Sequence, residues 1–451
     1  MDGVHDAERL KELQSLPLER KIQITQTRII EWYQHYDGQV CVSFSGGKDS
    51  TVLLHIARQL YPGIPAVFSN TGLEYAAIQR FVKTFDNVDI IVPQMRFDEV
   101  ISTYGYPLIG KEVAEAIHYA RRIRSQSVNV EREREPQRTT GQNSTVCGNG
   151  LPKTRPALQA YHKRIELWGG AEPPHQDEQC EKQTDSSQRK DVRNRDSEAF
   201  WKRTELIGRY PGERNRSGVA GQTKSQFNKE KWLPLARDLP ILISHYCCHK
   251  MKKQPMHKYQ RAKGYKPILA TLAEESRVRK QAWIRHGCNA FESSAPLSQP
   301  MAFWTEQDVL SYLVKYNLPI ASVYGEIVSM SADGNAYPPS DVMGNPLCNL
   351  KCTGCQRTGC VYCAFGAHLE KKGETRFQQL AKLEPRKYEY AIGGGQWSDN
   401  PYYDPAAPEY DGEWKNWNPK KIWTPSKQGL GLGKAFDMVN ELYGKNFIRY
   451  E

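Results

Sequence analysis

Two stretches of this sequence carry residues whose types and spacing can do chemistry. The first is Ser45-Gly46-Gly47-Lys48-Asp49-Ser50, set between the apolar run 39–44 (QVCVSF) and the helix-periodic run 50–60 (STVLLHIARQL). A glycine pair at a strand-to-helix turn lets backbone N–H groups close on an anion, and the helix N-terminus adds partial positive charge. Lys48 can neutralise phosphate oxygens, the Ser45 and Ser50 hydroxyls can donate to them, and Asp49 can help hold Mg2+. The eight-residue Walker spacing is absent, so this is a different phosphate loop. A mere tight turn can also be written Ser-Gly-Gly, but it does not call for a strand before and a helix after.

The second stretch is cysteine-rich. Eight of the eleven cysteines lie from Cys247 to Cys363. Cys348, Cys352, Cys355, Cys360 and Cys363 read C-x3-C-x2-C-x4-C-x2-C. Two CxxC pairs this close point to thiolate coordination, which serves zinc and iron–sulfur clusters equally well. Cys247-Cys248 is a further adjacent pair. Cys288 suits a ligand, a sulfur carrier or plain core; Cys41, inside a strand, reads as core, and Cys147 and Cys180 as incidental. His249 reads as a surface residue, with reach to the cysteines as the alternative.

The elements that must position these groups follow from periodicity. Residues 7–36 read as helices and 39–44 as a first strand; 64–69 and 88–92 read as further strands, with a helix over 75–85 between them. Alternating strands and helices with short connections predict an α/β fold: a Rossmann-like parallel sheet with helices on both faces. From 121 to 231 the chain is polar, and 172–197 has almost no aliphatic residues to offset its ordering entropy; 153–168 is one helical candidate there. Order returns with a strand over 239–243; residues 264–270 then lead into 271–277 and a helix ending at His286. Thr305 is placed to N-cap a helix over 305–316 with Asp308 completing the cap, and 432–443 closes the chain as a helix. The chain divides into N-terminal helices (1–36), a first nucleotide-binding half (37–120), the polar insertion (121–231), a second half (232–330), a Cys-rich metal segment (331–370) and an aromatic, Gly/Pro-rich extension (371–451).

No run approaches 18 apolar residues, so no membrane span or membrane partner is expected, and Met1–Asp6 lacks the basic start and apolar core of a signal peptide. The expected location is the cytoplasm, where thiols stay reduced and clustered cysteines mean metal or redox chemistry. Net charge of +11 and an isoelectric point near 9.0 suit a polyanionic partner, nucleotide phosphates or a nucleic acid. Trp397, Tyr402, Tyr403, Trp414, Trp417 and Trp423 suit packing or base stacking. Oligomeric state is not legible.

The run SFSGGKDS after QVCV resembles the PP-loop of the adenine-nucleotide alpha-hydrolase superfamily, which includes ATP pyrophosphatases and phosphoadenosine phosphosulfate (PAPS) reductases. Ser69-Asn70-Thr71-Gly72-Leu73-Glu74-Tyr75 resembles the DTG-aromatic strand end of the PAPS reductase branch, with Asn70 in place of Asp. Glu274-Glu275-Ser276-Arg277-Val278-Arg279 resembles its E-S-x-x-R motif, and Pro296-Leu297-Ser298 with Trp304 through Leu310 resembles its proline-leucine and W-x-x-x-D segments. The resemblance implies chemistry at an α-phosphate. Lys48, Asp49, Arg277 and Arg279 would act in catalysis; Ser45, Gly46, Gly47, Lys48, Asp49, Ser50, Asn70, Thr71, Gly72 and Glu275 would bind ATP, or PAPS or adenylylsulfate (APS), with Mg2+. Lys111 would be a further phosphate contact or a solvated lysine.

Adjacent cysteines with a distant CxxC resemble the [4Fe–4S] pattern of adenylylsulfate reductases, which implies Cys247, Cys248, Cys360 and Cys363 as ligands. A competing set joins one of Cys247 and Cys248 to Cys355, Cys360 and Cys363. Iron–sulfur is favoured and Zn2+ is the alternative. The sequence departs from true reductases in two ways: no cysteine follows Cys363, and SGGKDS is the ATP-using form of the loop. The favoured expectation is therefore an ATP pyrophosphatase-type, adenylating sulfurtransferase with a nucleic acid or small molecule as acceptor and a protein as sulfur donor or reductant. The alternatives are a sulfonucleotide reductase using Cys247, Cys248, Cys288 or Cys355 as nucleophile, and a zinc-stabilised, nucleotide-sensing nucleic-acid-binding protein.

Overall fold

A computed structural model describes residues 5–118, 121, 230–406 and 417–451. The 153–168 helix, Cys147, Cys180 and Trp414 lie outside the described residues. Two helices, α1 (Ala7–Gln14) and α2 (Leu18–His35), precede the sheet. In α2, Ile22, Thr25, Ile29 and Trp32 recur every three or four residues and are buried, the spacing of one helix face. Lys21, on the same helix, is buried and ion-pairs with Asp308 at 2.6 Å.

The central sheet has six strands: β1 (Val40–Ser43), β2 (Ala66–Ser69), β3 (Val88–Ile91), β4 (Lys266–Ile268), β5 (Asn289–Ala290) and β6 (Leu297–Ser298). They lie in the order β3-β2-β1-β4-β6-β5. Every pair is parallel except β5 with β6, which is antiparallel at the edge. Registers such as Val42 opposite both Ala66 and Ile268 fix β1 at the centre. Val40, Cys41 and Val42 are consecutive and all fully buried; since neighbouring side chains point to opposite faces, both faces are covered. Helices α3 (Lys48–Leu60), α4 (Ala76–Val82) and α5 (Phe97–Tyr104) follow the first three strands in turn. Leu53, Leu54, Ile56 and Ala57 of α3 pack into the same core. The expected α/β sheet is therefore present.

The strand order reverses between β1 and β4, and in open α/β sheets that switch point opens a crevice beyond the carboxyl ends of the strands. The glycine loop leaves β1 at that place. Beyond it come α6 (Gln254–Lys263), preceded by a π-helical turn at His249–Lys253, then α7 (Arg277–His286) and α8 (Glu306–Lys315). Ser276 and Thr305 cap the last two through their side chains, and Thr305 forms the expected capping box with Asp308. A smaller sheet of β7 (Ile327–Met330), β8 (Ala336–Tyr337) and β9 (Leu350–Cys352) carries the chain to the cysteines. One expectation is corrected. Residues 239–243 do not join the central sheet; Ile241 and Ile243 make only isolated bridges, to Trp423 and Tyr106. Pro240 in mid-run removes a donor that a central strand needs. Among the described residues, no helix is long and apolar enough to cross a membrane.

Candidate nucleotide and thiol site

The glycine loop is held from within. Gly46 sits at φ +70°, and a Cβ there would come within 2.7 Å of Val82 Cγ2 and 2.9 Å of Ile78 Cγ2. Only glycine meets both demands without strain. The Ser45 and Ser50 hydroxyls lie 3.0 Å apart, and the backbone N–H of Ser45 donates to Ser50 Oγ at 3.2 Å. Ser50 and Thr51 hydroxyls each donate to the Gly47 carbonyl at 3.0 Å. Gly47 caps α3 without a side chain, leaving the first-turn amides to an incoming anion.

Around the loop, charges of both signs meet. Lys48 is 5% exposed, and its ammonium donates to Glu306 Oε1 at 2.9 Å. It also lies 5.4 Å from the centroid of the Tyr324 ring. Burial raises the Asp49 carboxyl above the usual carboxylate range, against the pull of Lys48; Glu306 adds to the rise, while Arg279 and Arg357 oppose it. Arg279 is clamped to Glu275, whose other carboxylate oxygen is 3.9 Å from Arg357. Burial and the nearby Arg357 push the Arg279 guanidinium down. Lys48, Asp49, Arg279 and Glu275 are thus gathered, whereas Arg277 is exposed at the start of α7. Asn70, Thr71 and Gly72 form the turn after β2. Asn70 Oδ1 accepts from the Gly72 N–H at 3.2 Å, and the Thr71 hydroxyl donates to Glu74 at 2.7 Å.

A pocket of about 890 Å³ opens at the switch point, within the roughly 300–1,000 Å³ of small-molecule sites. Ser45, Phe68, Ser69 and Glu74 line it from the β1–β2 side, Pro267, Leu269, Pro296 and Leu297 from the β4–β6 side. Lys252, Lys253, His257 and Arg261 add a basic wall, and Thr358 and Gly359 bring it to the cysteine run.

The thiols assemble beside that pocket. The Cys247 thiol donates to Cys248 Sγ at 4.0 Å. That bond is the main reason the Cys248 thiol falls to about 5; Lys111 and Lys252 assist, and burial opposes. Cys247 is raised, first by the same bond, then by burial and by the charges of Cys248, Cys363 and Cys360. Burial lifts Cys360 to about 11 against the pull of Lys252, and burial raises Cys363. Cys247, Cys248, Cys360 and Cys363 therefore stand close enough for their charges to act on one another. Cys355 does not join them: it is fully buried and faces the Tyr75 hydroxyl. Cys352 neighbours Lys48 instead, Cys288 is buried after α7 and Cys41 is in the core, and Cys348 and His249 are exposed. Among the described residues, no three or more His, Cys, Asp or Glu side chains are arranged as a metal site. The donor set nevertheless suits one, because four thiols that must ionise together are ringed by Lys111, Lys252 and Arg376. Nearby cations stabilise thiolates.

Residues 39–108 match the phosphoadenosine phosphosulfate reductase domain family. An adenosine 5'-phosphosulfate reductase from Bacillus cereus is 30% identical over 87 residues, 18% of this chain and 37% of that relative. Over residues 39–108 the chain is similar to that domain family. The matched segment holds the glycine loop and the Asn70–Gly72 turn. The alignment with the Bacillus protein spans little more than a third of its length, and the family match ends before the thiols. In this site, sequence reasoning missed Tyr324, whose hydroxyl lies 2.5 Å from Thr358 Oγ1 and so ties the loop to the cysteine run. It also missed Arg357, Glu306 and Lys252. Lys252 carried a signal, standing four residues after Cys248 in a basic run; the others belong to no local pattern. Lys111, expected at phosphate or in solvent, lies against Cys248.

Proposed function

We propose that this chain is an adenine-nucleotide-dependent enzyme of sulfur chemistry. In this reading ATP, or a related sulfonucleotide, occupies the 890 Å³ pocket with its phosphates on residues 45–50. Cys247, Cys248, Cys360 and Cys363 hold a [4Fe–4S] cluster next to it, with Zn2+ as the alternative occupant. The observation that carries the proposal is Lys252. It lines the pocket, ion-pairs with Glu74 at 3.9 Å and acts on the charges of Cys360 and Cys248. One side chain thus reaches from the nucleotide pocket to the thiols.

Catalysis would be positioning and charge neutralisation. Lys48 exchanges its Glu306 contact for a phosphate oxygen, and Arg279, aligned by Glu275, faces the same charge. Asp49 helps hold Mg2+. A nucleophilic oxygen of the acceptor forms a bond to the α-phosphorus as the bond to pyrophosphate breaks, leaving an adenylylated acceptor. When bound, the cluster supplies electron-transfer or sulfur-handling chemistry. The acceptor in this reading is a nucleic acid or small molecule, a second protein supplies sulfur or electrons, and the reducing cytoplasm keeps the thiols free.

The likeness to a protein named adenosine 5'-phosphosulfate reductase favours a second reading, a sulfonucleotide reductase. Anaerobic purification with iron, sulfide and zinc analysis, followed by two assays, separates the readings. ATP–pyrophosphate exchange supports adenylation, and sulfite release from APS or PAPS supports reduction. Stoichiometric zinc with neither activity would leave only a nucleotide-sensing protein.

A further inference from the structure

Between Cys355 and Val361 the chain has no regular secondary structure, yet it is fastened to elements that the nucleotide reading uses. At its start the backbone N–H groups of Gly354 and Cys355 donate to the carbonyls of Tyr324 and Val323 at 2.8 and 2.9 Å. At its end the Val361 N–H donates to the Leu73 carbonyl at 2.7 Å, just past the Asn70–Gly72 turn. In the middle, Arg357 lies 3.9 Å from Glu275, which clamps Arg279, and the Thr358 hydroxyl is 2.5 Å from that of Tyr324. Cys360 comes two residues after Thr358, so the path of this strap sets where that thiol stands.

Tyr324 is the fastening that also touches the phosphate loop. It ends a short 3-10 turn, Ser322–Tyr324, between α8 and β7, and is 2% exposed. Its ring centroid is 5.4 Å from the Lys48 ammonium, and a Cβ added at Gly47 would lie 3.3 Å from its hydroxyl oxygen. Burial raises that hydroxyl, against the pull of Thr358 and of the Lys48 backbone N–H. It therefore keeps its proton, with the loop on one side and the strap on the other. A ligand that fixes the loop narrows the positions open to Tyr324, and through it those open to Thr358. We propose that Tyr324 is a positioning residue through which an occupied phosphate loop orders the 356–360 strap and presents Cys360 to the other thiols. The inference rests on the nucleotide reading of the glycine loop. Linkage makes the effect reciprocal, so a metal on the thiols tightens nucleotide binding by the same factor. That factor grades affinity and leaves the metal content of a saturated protein unchanged.

Amide hydrogen exchange on the full chain tests it, followed in peptides covering residues 355–363 with AMP as the ligand. Each protein is held at saturation according to its own measured AMP affinity, so a change in affinity does not enter the comparison. In the native chain AMP should slow exchange there at least about fivefold, the low end of couplings between sites. Tyr324→Phe keeps the ring beside Lys48 and removes the hydroxyl, and Thr358→Val removes the other half of the same bond. Both should lose the slowing, and the double variant should behave like either single one, because one shared bond is at stake. Calorimetry gives a second readout. Native protein loaded with Zn2+ and freed of excess metal should bind AMP at least about fivefold tighter than metal-free protein, and Tyr324→Phe should bring that ratio to about one. Slowing that survives in both variants means that the nucleotide touches the strap directly, and it overturns the role of Tyr324; so does a zinc-loaded chain with unaltered AMP affinity. No slowing in a native chain that binds AMP overturns the coupling while leaving the nucleotide reading intact. A native chain that binds no AMP takes down both.

Discussion

The glycine loop and the thiol cluster beside the pocket are built on opposite principles. Residues 45–50 are contiguous, and their shape is set by their own bonds: Ser45 to Ser50, Ser50 and Thr51 to Gly47, with Gly46 seated on α4. The thiol cluster joins Cys247-Cys248 to Cys360 and Cys363 across more than a hundred residues, and the sulfur atoms repel one another's ionisation. A phosphate loop can thus be ready before its ligand arrives, because its dipoles are fixed by local backbone. A thiolate cluster needs its cation to be stable at all. The difference predicts that damage to the two sites will show up in different measurements.

The largest effect is expected at the thiols. Cys363→Ser should lower metal affinity by more than the roughly 10–100-fold typical of second-layer partners, and with it the visible absorption of any iron–sulfur cluster. Cys355→Ser should leave metal content unchanged, because that thiol faces Tyr75 and not the other four. Equal metal loss in both would restore Cys355 as a ligand and break the comparison. Next in size is Lys48→Met. Removing a charge held against the phosphates should slow turnover about a hundred- to a thousand-fold, with metal content untouched; loss of metal in that variant would show that the two sites are not separable. Gly46→Ala tests the local rule on stability. It adds a Cβ at φ +70° against Val82 and Ile78, and should cost about 2–3 kcal/mol in denaturant unfolding.

What was legible in the sequence divides along the same line. The strand-loop-helix around Ser45–Ser50 could be read because its cause is local: an apolar run, two glycines and a 3.6-residue period meet within twenty residues. The Thr305–Asp308 cap was equally local and is present. The sequence could place Cys247, Cys248, Cys360 and Cys363 together only by resemblance, since spacing alone left Cys355 as an equal candidate. Tyr324, Glu306 and Arg357 could not be found at all. Each is an ordinary residue in an ordinary helix or loop, and it reaches the site through the packing of α8 and the small β7–β9 sheet. The strand expected at 239–243 failed for a local reason, Pro240, which outweighs the flanking aliphatics.

The smallest effect concerns ionisation within the thiol cluster of the metal-free protein. Cys248 is lowered to about 5, chiefly by the bond from Cys247 and then by Lys111 and Lys252, while burial lifts Cys360 to about 11. A free cysteine ionises near 8.5. The sign follows: Cys248 is a thiolate throughout the range from about pH 6 to 8 and gains its proton only as pH falls through 5, whereas Cys360 stays a thiol until strongly alkaline pH. Alkylation by iodoacetamide, read peptide by peptide, should therefore be nearly flat for Cys248 above pH 6 and rise for Cys360 only at the alkaline end. Lys111→Gln should move the Cys248 midpoint up by about one pH unit and move the Cys360 profile less, because Lys252 is the cation that acts most on that thiol. If both profiles moved together, the four thiols would titrate as one body, and the thiol cluster would be as self-contained as the glycine loop.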